Sequence, residues 1–534
     1  MGIAIVKRGI GAAAIALWLG TAALPVQAAM ELTAFKQSVA AEASQDSAIA
    51  AFYRDRDYAP FWTSPEAAAH RSALLHAVAG AGVHGLPVSR YDSDALIATF
   101  RDALTQRDMG RAEVAAMRLF LAYAQDISNG VLDPNKVVPD IKRKADRIDP
   151  AAMMKEFAKA DSPEAFLKAL PPESPEYARL LREKLRLERR IANGGWGDPV
   201  PISALRPGDS GPQVVALRNR LIAMDYLPRT ATRTYDGAMQ KAVQRFQLDH
   251  GLEPDGVAGT GTVAEINLGP EKRLQQVLVA MERERWLGDA RGTKHVLVNI
   301  TDFHARIVED GEVVFETRSV VGQNRHDQRT PEFSDEMDHM VINPSWHVPR
   351  SIAVNEYLPQ MIANPGAARH LQLVDGRGRV VSRSAIDFSK YSPRNFPFDL
   401  KQPPSQGNAL GQVKFMFPNP YNIYLHDTPS QSLFAREVRT FSHGCVRLDD
   451  PFDFAYALLA MQTDDPKGFF HEKLDTGREI RVDLEHPLPV HIIYRTALGD
   501  PKGRMQYRRD VYGRDKAIFE ALSEAGVVLA PVRG

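Results

Sequence analysis

The chain has 534 residues, 44% of them hydrophobic and 25% charged, an ordinary globular composition with ample material for buried cores. At roughly 100–200 residues per domain, about three domains are expected. Its 66 basic and 66 acidic residues cancel, so charge gives no reason to expect a nucleic-acid partner or tight binding to an acidic membrane surface.

The first residues read as an export signal. Lys7 and Arg8 precede an almost wholly apolar run, Gly9 to Leu24, and Val26-Gln27-Ala28 carries the small residues of a cleavage site. The run is short for a membrane span, so residues 1–28 are expected to be a signal peptide cleaved near Ala28. An uncleaved anchor is the alternative. No later stretch is apolar enough to span a bilayer, and no tight membrane association is expected after cleavage. The one cysteine, Cys445, cannot form an internal disulfide. In an exported chain it is either inert and buried or a reactive thiol.

Residues 29–200 read as a helical scaffold domain. Ala112 to Tyr123 is rich in Ala, Leu, Met and Phe, and Tyr177 to Ile191 is a charged helix with Leu at helical spacing. Pro171-Pro172 and Gly194-Gly195 punctuate the region, and it carries no catalytic constellation. Residues 203–269 read as a compact three-helix unit. Val214, Leu217 and Leu221 share one helical face. A second helix starts at Asp236, carries Val243 and Phe246, and ends at His250-Gly251. The loop Asp255-Gly256-Val257-Ala258-Gly259 precedes a third, short helix.

From Lys294 the period changes to two: Val296, Val298 and Ile300 alternate as in a half-buried strand. Ala305 to Glu309 and Glu312 to Glu316 flank Asp310-Gly311, a two-residue hairpin signal. Val413 to Phe417 and Asn422 to Leu425 read as further strands. A mainly β domain is expected over 290–485, with a C-terminal extension over 486–534. Within it, about 346–406 reads as a proline-rich, irregular insertion with a helix near Ser351 to Ala363. Long insertions in compact domains often cover active sites.

The residues that carry chemistry lie in Tyr424-Leu425-His426-Asp427-Thr428-Pro429 and Phe441-Ser442-His443-Gly444-Cys445-Val446-Arg447. A free thiol has a pKa of about 8.5, so little thiolate exists at neutral pH. A neighbouring imidazole can take the proton and hold a thiolate–imidazolium pair, which predicts fast alkylation below the ordinary thiol pKa. His443 is two residues before Cys445 and shares its face on a strand; His426 would approach only through folding. Gly444 admits a close backbone or substrate. N–H groups around Gly444 and Cys445 would suit an oxyanion, and Arg447 a substrate carboxylate. The leading reading is a Cys–His acyl transferase or hydrolase. The alternatives are a buried cysteine beside structural histidines, or a zinc site of His426, His443 and Cys445. That spacing fits no common zinc motif and lacks an obvious fourth ligand.

His426, fifteen intervening residues, then Ser442-His443-Gly444-Cys445-Val446-Arg447 resembles the signature of the L,D-transpeptidase family. Similarity to its large Gram-negative members extends over nearly the whole mature chain. It includes Phe52 to Trp62, Asn343 to Pro349, Gly407 to Phe415, His426 to Pro429 and Pro489 to Ala497. Residues 203–269 resemble a peptidoglycan-binding module, through the pattern running from Phe246 to Thr262. A non-binding helical spacer is the alternative there.

The resemblance implies a multidomain α+β architecture: helical scaffold, small three-helix module, and mainly-β catalytic domain with a cap insertion. It implies a periplasmic enzyme of cell-wall biogenesis and cell shape. Cys445 would attack the third residue, typically diaminopimelate, of a tetrapeptide stem and release D-alanine. The resulting thioester would pass to the amine of a second stem, giving a 3→3 cross-link. His426 is then the expected general base, and His443 is expected to support the oxyanion site or hold the loop. Ser442, Gly444, Arg447, Tyr424 and Trp346 are expected at the substrate. No metal or organic cofactor is implied, carbapenems are expected to acylate the thiol, and stem peptides and cell-wall synthesis enzymes are the expected partners. L,D-carboxypeptidase activity and a non-catalytic wall-binding protein are the alternatives.

Overall fold

Helix Gln106–Asn129 is the spine of the N-terminal region. It starts at a capping box in which Thr105 and Asp108 satisfy each other's main-chain N–H groups. Its Val114, Met117, Phe120 and Ile127 pack with Phe35, Tyr53, Trp62 and Phe157 in one apolar core. Glu113 on the same helix is fully buried. It accepts from the Tyr53 hydroxyl and from the N–H groups of Phe61, Trp62 and Thr63, as a buried carboxylate must. That bond set fixes the Phe52–Trp62 segment onto the spine. The computed structural model describes residues 33–288, 291–500 and 503–529; the expected signal peptide lies outside the described residues. Among the described residues no helix is long and apolar enough to cross a membrane.

The three-helix unit comprises Pro212–Ala223, Gly237–Asp249 and Thr260–Ile266. Asp236 caps the second helix by accepting from Ala238 and Met239 N–H. Gly251, at φ 64, follows its end. Residues 270–289, unassigned from sequence, hold the helix Pro270–Leu287. It is buried nearly all round, and its charged side chains bond outward to three regions. Arg285 reaches Glu282 and the Tyr177 hydroxyl, Arg283 reaches Glu332 and Asp515, and Glu284 reaches Ser174 and Arg291.

The C-terminal half is built on strands β1 (Lys294–Asn299), β2 (His304–Glu309), β3 (Glu312–Gly322) and β4 (Phe333–Ile342). There follow β5 (Trp346–His347), β6 (Gln372–Val374), β7 (Val380–Val381) and β8 (Asp399–Gln402). The last are β9 (Val413–Met416), β10 (Leu425–His426), β11 (Thr440–Ser442), β12 (Val446–Leu448) and β13 (Ile480–Ile493). Nine of these form one sheet in the order β11-β3-β12-β10-β9-β4-β13-β1-β2, and β3 also pairs with β2, closing the sheet on itself. The β2–β3 turn has both central residues at positive φ, Asp310 at 49° and Gly311 at 82°, the tight hairpin geometry that Asp-Gly favours. Phe415, Leu425, Val446, Leu448 and Ile492 fill the interior with Phe454 and Leu458 of helix Pro451–Leu459.

Two expectations need correction. The sheet does not stop at 485: β13 runs to Ile493 and pairs with both β4 and β1. Pro487 falls within the register shift between Asp483 and Leu488, and beyond it the ladder resumes with Leu488 beside Met337 and Pro489 beside Glu336. The insertion is also not irregular throughout. It folds a second sheet, β5-β8-β6-β7, over its own core of Ile352, Leu358, Leu373, Phe388 and Phe396. Its helical part contains a π-helical turn, Ala353–Tyr357, a form often found at functional sites.

Candidate active site

β10 and β12 lie parallel, with Leu425 beside Val446 and His426 beside Arg447. Alternation along a strand then sorts the side chains. Leu425, Val446 and Leu448 point into the core. Tyr424, His426, Cys445 and Arg447 share the other face. β9 adds Lys414, directly opposite His426, while its neighbour Phe415 enters the core.

The Ser442–Cys445 loop is shaped by its own side chains. Ser442 Oγ accepts from Gly444 N–H at 3.1 Å and donates to the Cys445 carbonyl at 2.5 Å. Gly444 sits at φ 120, where an L side chain is strained, and a Cβ there would lie 3.2 Å from Ile423 Cδ1. Thr330 Oγ1 donates to the Gly444 carbonyl at 2.7 Å. Gly444 N–H is therefore already used, and of the two N–H groups named for an oxyanion only that of Cys445 stays unbonded among the described residues.

Cys445 is half-buried and unpaired. Its Sγ lies 3.4 Å from the Asn422 carbonyl. The Tyr424 hydroxyl and main-chain N–H both bond the sulfur and favour the thiolate, as do the charges of Arg447 and Lys414. Burial outweighs them and pushes the thiol up to about 11. His426 is 4% exposed. Its Nδ1 donates to the Asp427 carbonyl; since a carbonyl only accepts, Nε2 keeps its lone pair. Burial first, then the Arg447 charge, lowers its pKa to about 3. Burial therefore favours the neutral thiol and the neutral imidazole over the thiolate–imidazolium pair expected from sequence.

Asp427 positions its neighbour. Its carboxylate accepts from Gln412 and Thr428 N–H at 2.8 and 2.6 Å. A Cβ at Gly411 would fall 2.2 Å from its Cγ, so the Gly411–Gln412 turn wraps it closely. Asn408 in turn donates to the Pro344 and Pro403 carbonyls. Three separated sequence segments thereby brace one histidine.

Arg447 and Lys414 form no ion pair among the described residues, and Arg447 Nε is buried without a partner. Burial lowers the pKa of both cations. Lys414 Nζ stands 5.9 Å from the centre of the Tyr424 ring. His443 turns to the cap, where its Nε2 is 2.6 Å from the Glu356 carboxylate on the π-helical turn. Trp346 lies in the cap sheet and packs edge-on against Tyr357 at 6.3 Å. Among the described residues no three His, Cys, Asp or Glu side chains gather as metal ligands.

The family description "L,D-transpeptidase catalytic domain" matches residues 293–474, the stretch that carries this face. Residues 293–474 are an L,D-transpeptidase catalytic domain. "Scaffold domain" matches 47–185 and "Putative peptidoglycan binding domain" matches 210–266. A Haemophilus influenzae protein named "Putative L,D-transpeptidase" is 33% identical over 228 residues, which are 42% of this chain and 45% of that relative. The chain thus spans about half the length of the curated relative it matches. Solved L,D-transpeptidases from Xylanimonas cellulosilytica and Stackebrandtia nassauensis match 56% of this chain and 100% and 97% of theirs. Their identities are 18% and 16%, and their TM-scores 0.17 and 0.22.

Sequence reasoning missed Lys414 and Glu356 in this L,D-transpeptidase domain. Lys414 had a signal: it is the one cation in the apolar run Val413 to Phe417. Glu356 had none, since its partner is 87 residues away.

Proposed function

We propose that this chain is a periplasmic L,D-transpeptidase that forms 3→3 cross-links in peptidoglycan through a thioester on Cys445. The observation that carries the reading is the shared strand face of Cys445 and His426, flanked by two cations that form no close ion pair among the described residues, Lys414 having only the more distant charge of Glu479. Substrate carboxylates from a tetrapeptide stem supply that charge to Arg447 and Lys414. Burial is the main depressor of His426, and the two cations add to it; neutralising them removes that added part, so the imidazole becomes a better base when substrate is bound.

His426 Nε2 then takes the thiol proton as Sγ bonds the carbonyl carbon of the third stem residue. The Cys445 N–H donates to the oxyanion. His426 returns the proton to the leaving amine, and D-alanine departs. The side-chain amine of diaminopimelate on a second stem attacks the thioester, loses its proton to His426, and the thiol is restored. Carbapenems acylate the same sulfur. His443, bonded to Glu356, holds the cap onto the catalytic loop rather than moving the reacting proton.

The test is a muropeptide digest profiled by mass spectrometry. Cells with the wild-type chain yield diaminopimelate–diaminopimelate dimers; Cys445→Ala abolishes them. Trimmed tripeptides without dimers would replace the reading with hydrolysis, and an unchanged profile would leave a wall-binding protein.

A further inference from the structure

We propose that the cavity between the three-helix unit and the catalytic domain binds the carboxylates of a second peptidoglycan stem peptide. It has a volume of about 270 Å³, just under the roughly 300 Å³ at which pockets for drug-sized ligands begin. It therefore takes a short segment rather than a whole disaccharide-peptide. Its walls come from Leu248 to Pro254 of the three-helix unit, from the segments 301–304 and 434–439 of the catalytic domain, and from Arg508 to Val511. The proposal rests on the transpeptidase reading and adds a site outside the strand face that carries Cys445 and His426.

Charge decides the class of ligand. Five arginines line the cavity: Arg318, Arg436, Arg439, Arg508 and Arg509. Of the facing acids, Asp302 is neutralised by Arg306 at 2.8 Å, and Glu437 by Arg509 at 2.7 Å; Glu253 is the third. The other four arginines form no ion pair among the described residues. Arg439 is 9% exposed, and its N–H groups bond only carbonyls, those of Ser319, Asp302, Phe303 and Arg436. That satisfies its donors but not its charge. Burial and the neighbouring Arg318 push its pKa down to about 10, outweighing the more distant charges of Asp302 and Asp449. Arg508 likewise bonds the Asp249 carbonyl and the Gln506 side chain.

Guanidinium forks suit carboxylates. Phe303, Phe434, Leu248 and Val438 supply apolar walls for the methyl and methylene groups between them. A stem peptide carries several free carboxylates on a short, partly apolar backbone. The 434–439 wall runs directly into β11 and the Ser442–Cys445 loop, and the Arg439 carbonyl accepts from Val321 N–H. A stem held here is tethered to the strand that presents Cys445.

The experiment measures binding of a soluble disaccharide-tetrapeptide to the full chain carrying Cys445→Ala, so that no turnover intervenes. Arg318 and Arg436 are exposed, so reversing them leaves the core intact. Adding Arg318→Glu and Arg436→Glu weakens binding by about 100-fold, the loss of two charge-assisted contacts at roughly tenfold each. Adding Arg229→Glu, an exposed change of equal sign elsewhere in the module, leaves it unchanged. The same ligand with its carboxyls amidated binds the parent and the double variant equally, because the cavity cations then have no carboxylate to hold. Equal affinity for free-acid and amidated ligands, or no effect of the double change, overturns the proposal. So does complete displacement by inorganic phosphate at equal concentration, which would leave a general anion site. Failure here is separable from failure of the transpeptidase reading, because the muropeptide profile is read on the unaltered protein.

Discussion

Two regions of this protein bury charge, and they treat it in opposite ways. Along helix Pro270–Leu287, Arg273 pairs with Glu265 at 2.8 Å, Arg285 with Glu282 at 3.0 Å, and Glu284 with Arg291 at 2.6 Å and with Arg495; Arg283 pairs with Glu332 and Asp515. On the catalytic face, Lys414 and Arg447 have no such partner, and Cys445 and His426 are both displaced toward their neutral forms. A buried pair balances most of its own desolvation, whereas a lone buried cation does not. The first arrangement binds scaffold, module and catalytic domain together. The second leaves Arg447 and Lys414 without a close ion pair on the face that carries Cys445 and His426.

The comparison breaks first at the thiol, where Cys445→Ala removes the proposed acyl carrier and is expected to abolish cross-linking. Cutting one partner from the paired region comes next. Glu284→Ala strands Arg291 and Arg495, and urea unfolding should show a loss of about 3–5 kcal/mol. The same operation on the unpaired region should behave differently. Arg447→Gln is expected to lower kcat/KM roughly 10- to 100-fold, the worth of a charged hydrogen bond, while the unfolding midpoint holds or rises. A matched loss of stability would remove the distinction between the two regions.

Proton linkage sharpens it further. His426 in the folded chain is depressed to about 3, against about 6.5 unfolded. Between these values the unfolded chain binds the extra proton, so stability is present above pH 6.5 and lost as pH falls toward 3. His426→Gln should flatten that slope by an amount on the order of a few kcal/mol. The raised thiol works in the other direction: alkylation of Cys445 by iodoacetamide should stay slow at neutral pH and climb toward about 11. A plateau near neutrality would restore the ion-pair expectation. The smallest effect belongs to the exposed link between cap and loop. Glu356→Gln is expected to change KM only a few-fold, in keeping with the roughly 0–1 kcal/mol of exposed pairs, and less at high salt.

What could be read along the chain was whatever is encoded locally. The cap at Asp236, the Asp310-Gly311 turn, the alternation at Val413 to Phe417 and the spacing of His426 to Cys445 are all patterns within a few turns or one motif. They sufficed for the α+β architecture and the family. Helix Pro270–Leu287 escaped because its charges, which look solvated in sequence, are buried against partners up to 232 residues away. The full length of β13 escaped because it continues through a register shift that holds Pro487, which only pairing with β4 on both sides makes possible. The face shared by Cys445, His426, Arg447 and Lys414, the turn of His443 toward Glu356, and the sign of both pKa shifts depend on which strands lie side by side and on what surrounds them. Those are properties of non-local pairing and desolvation, and only the folded chain decides them.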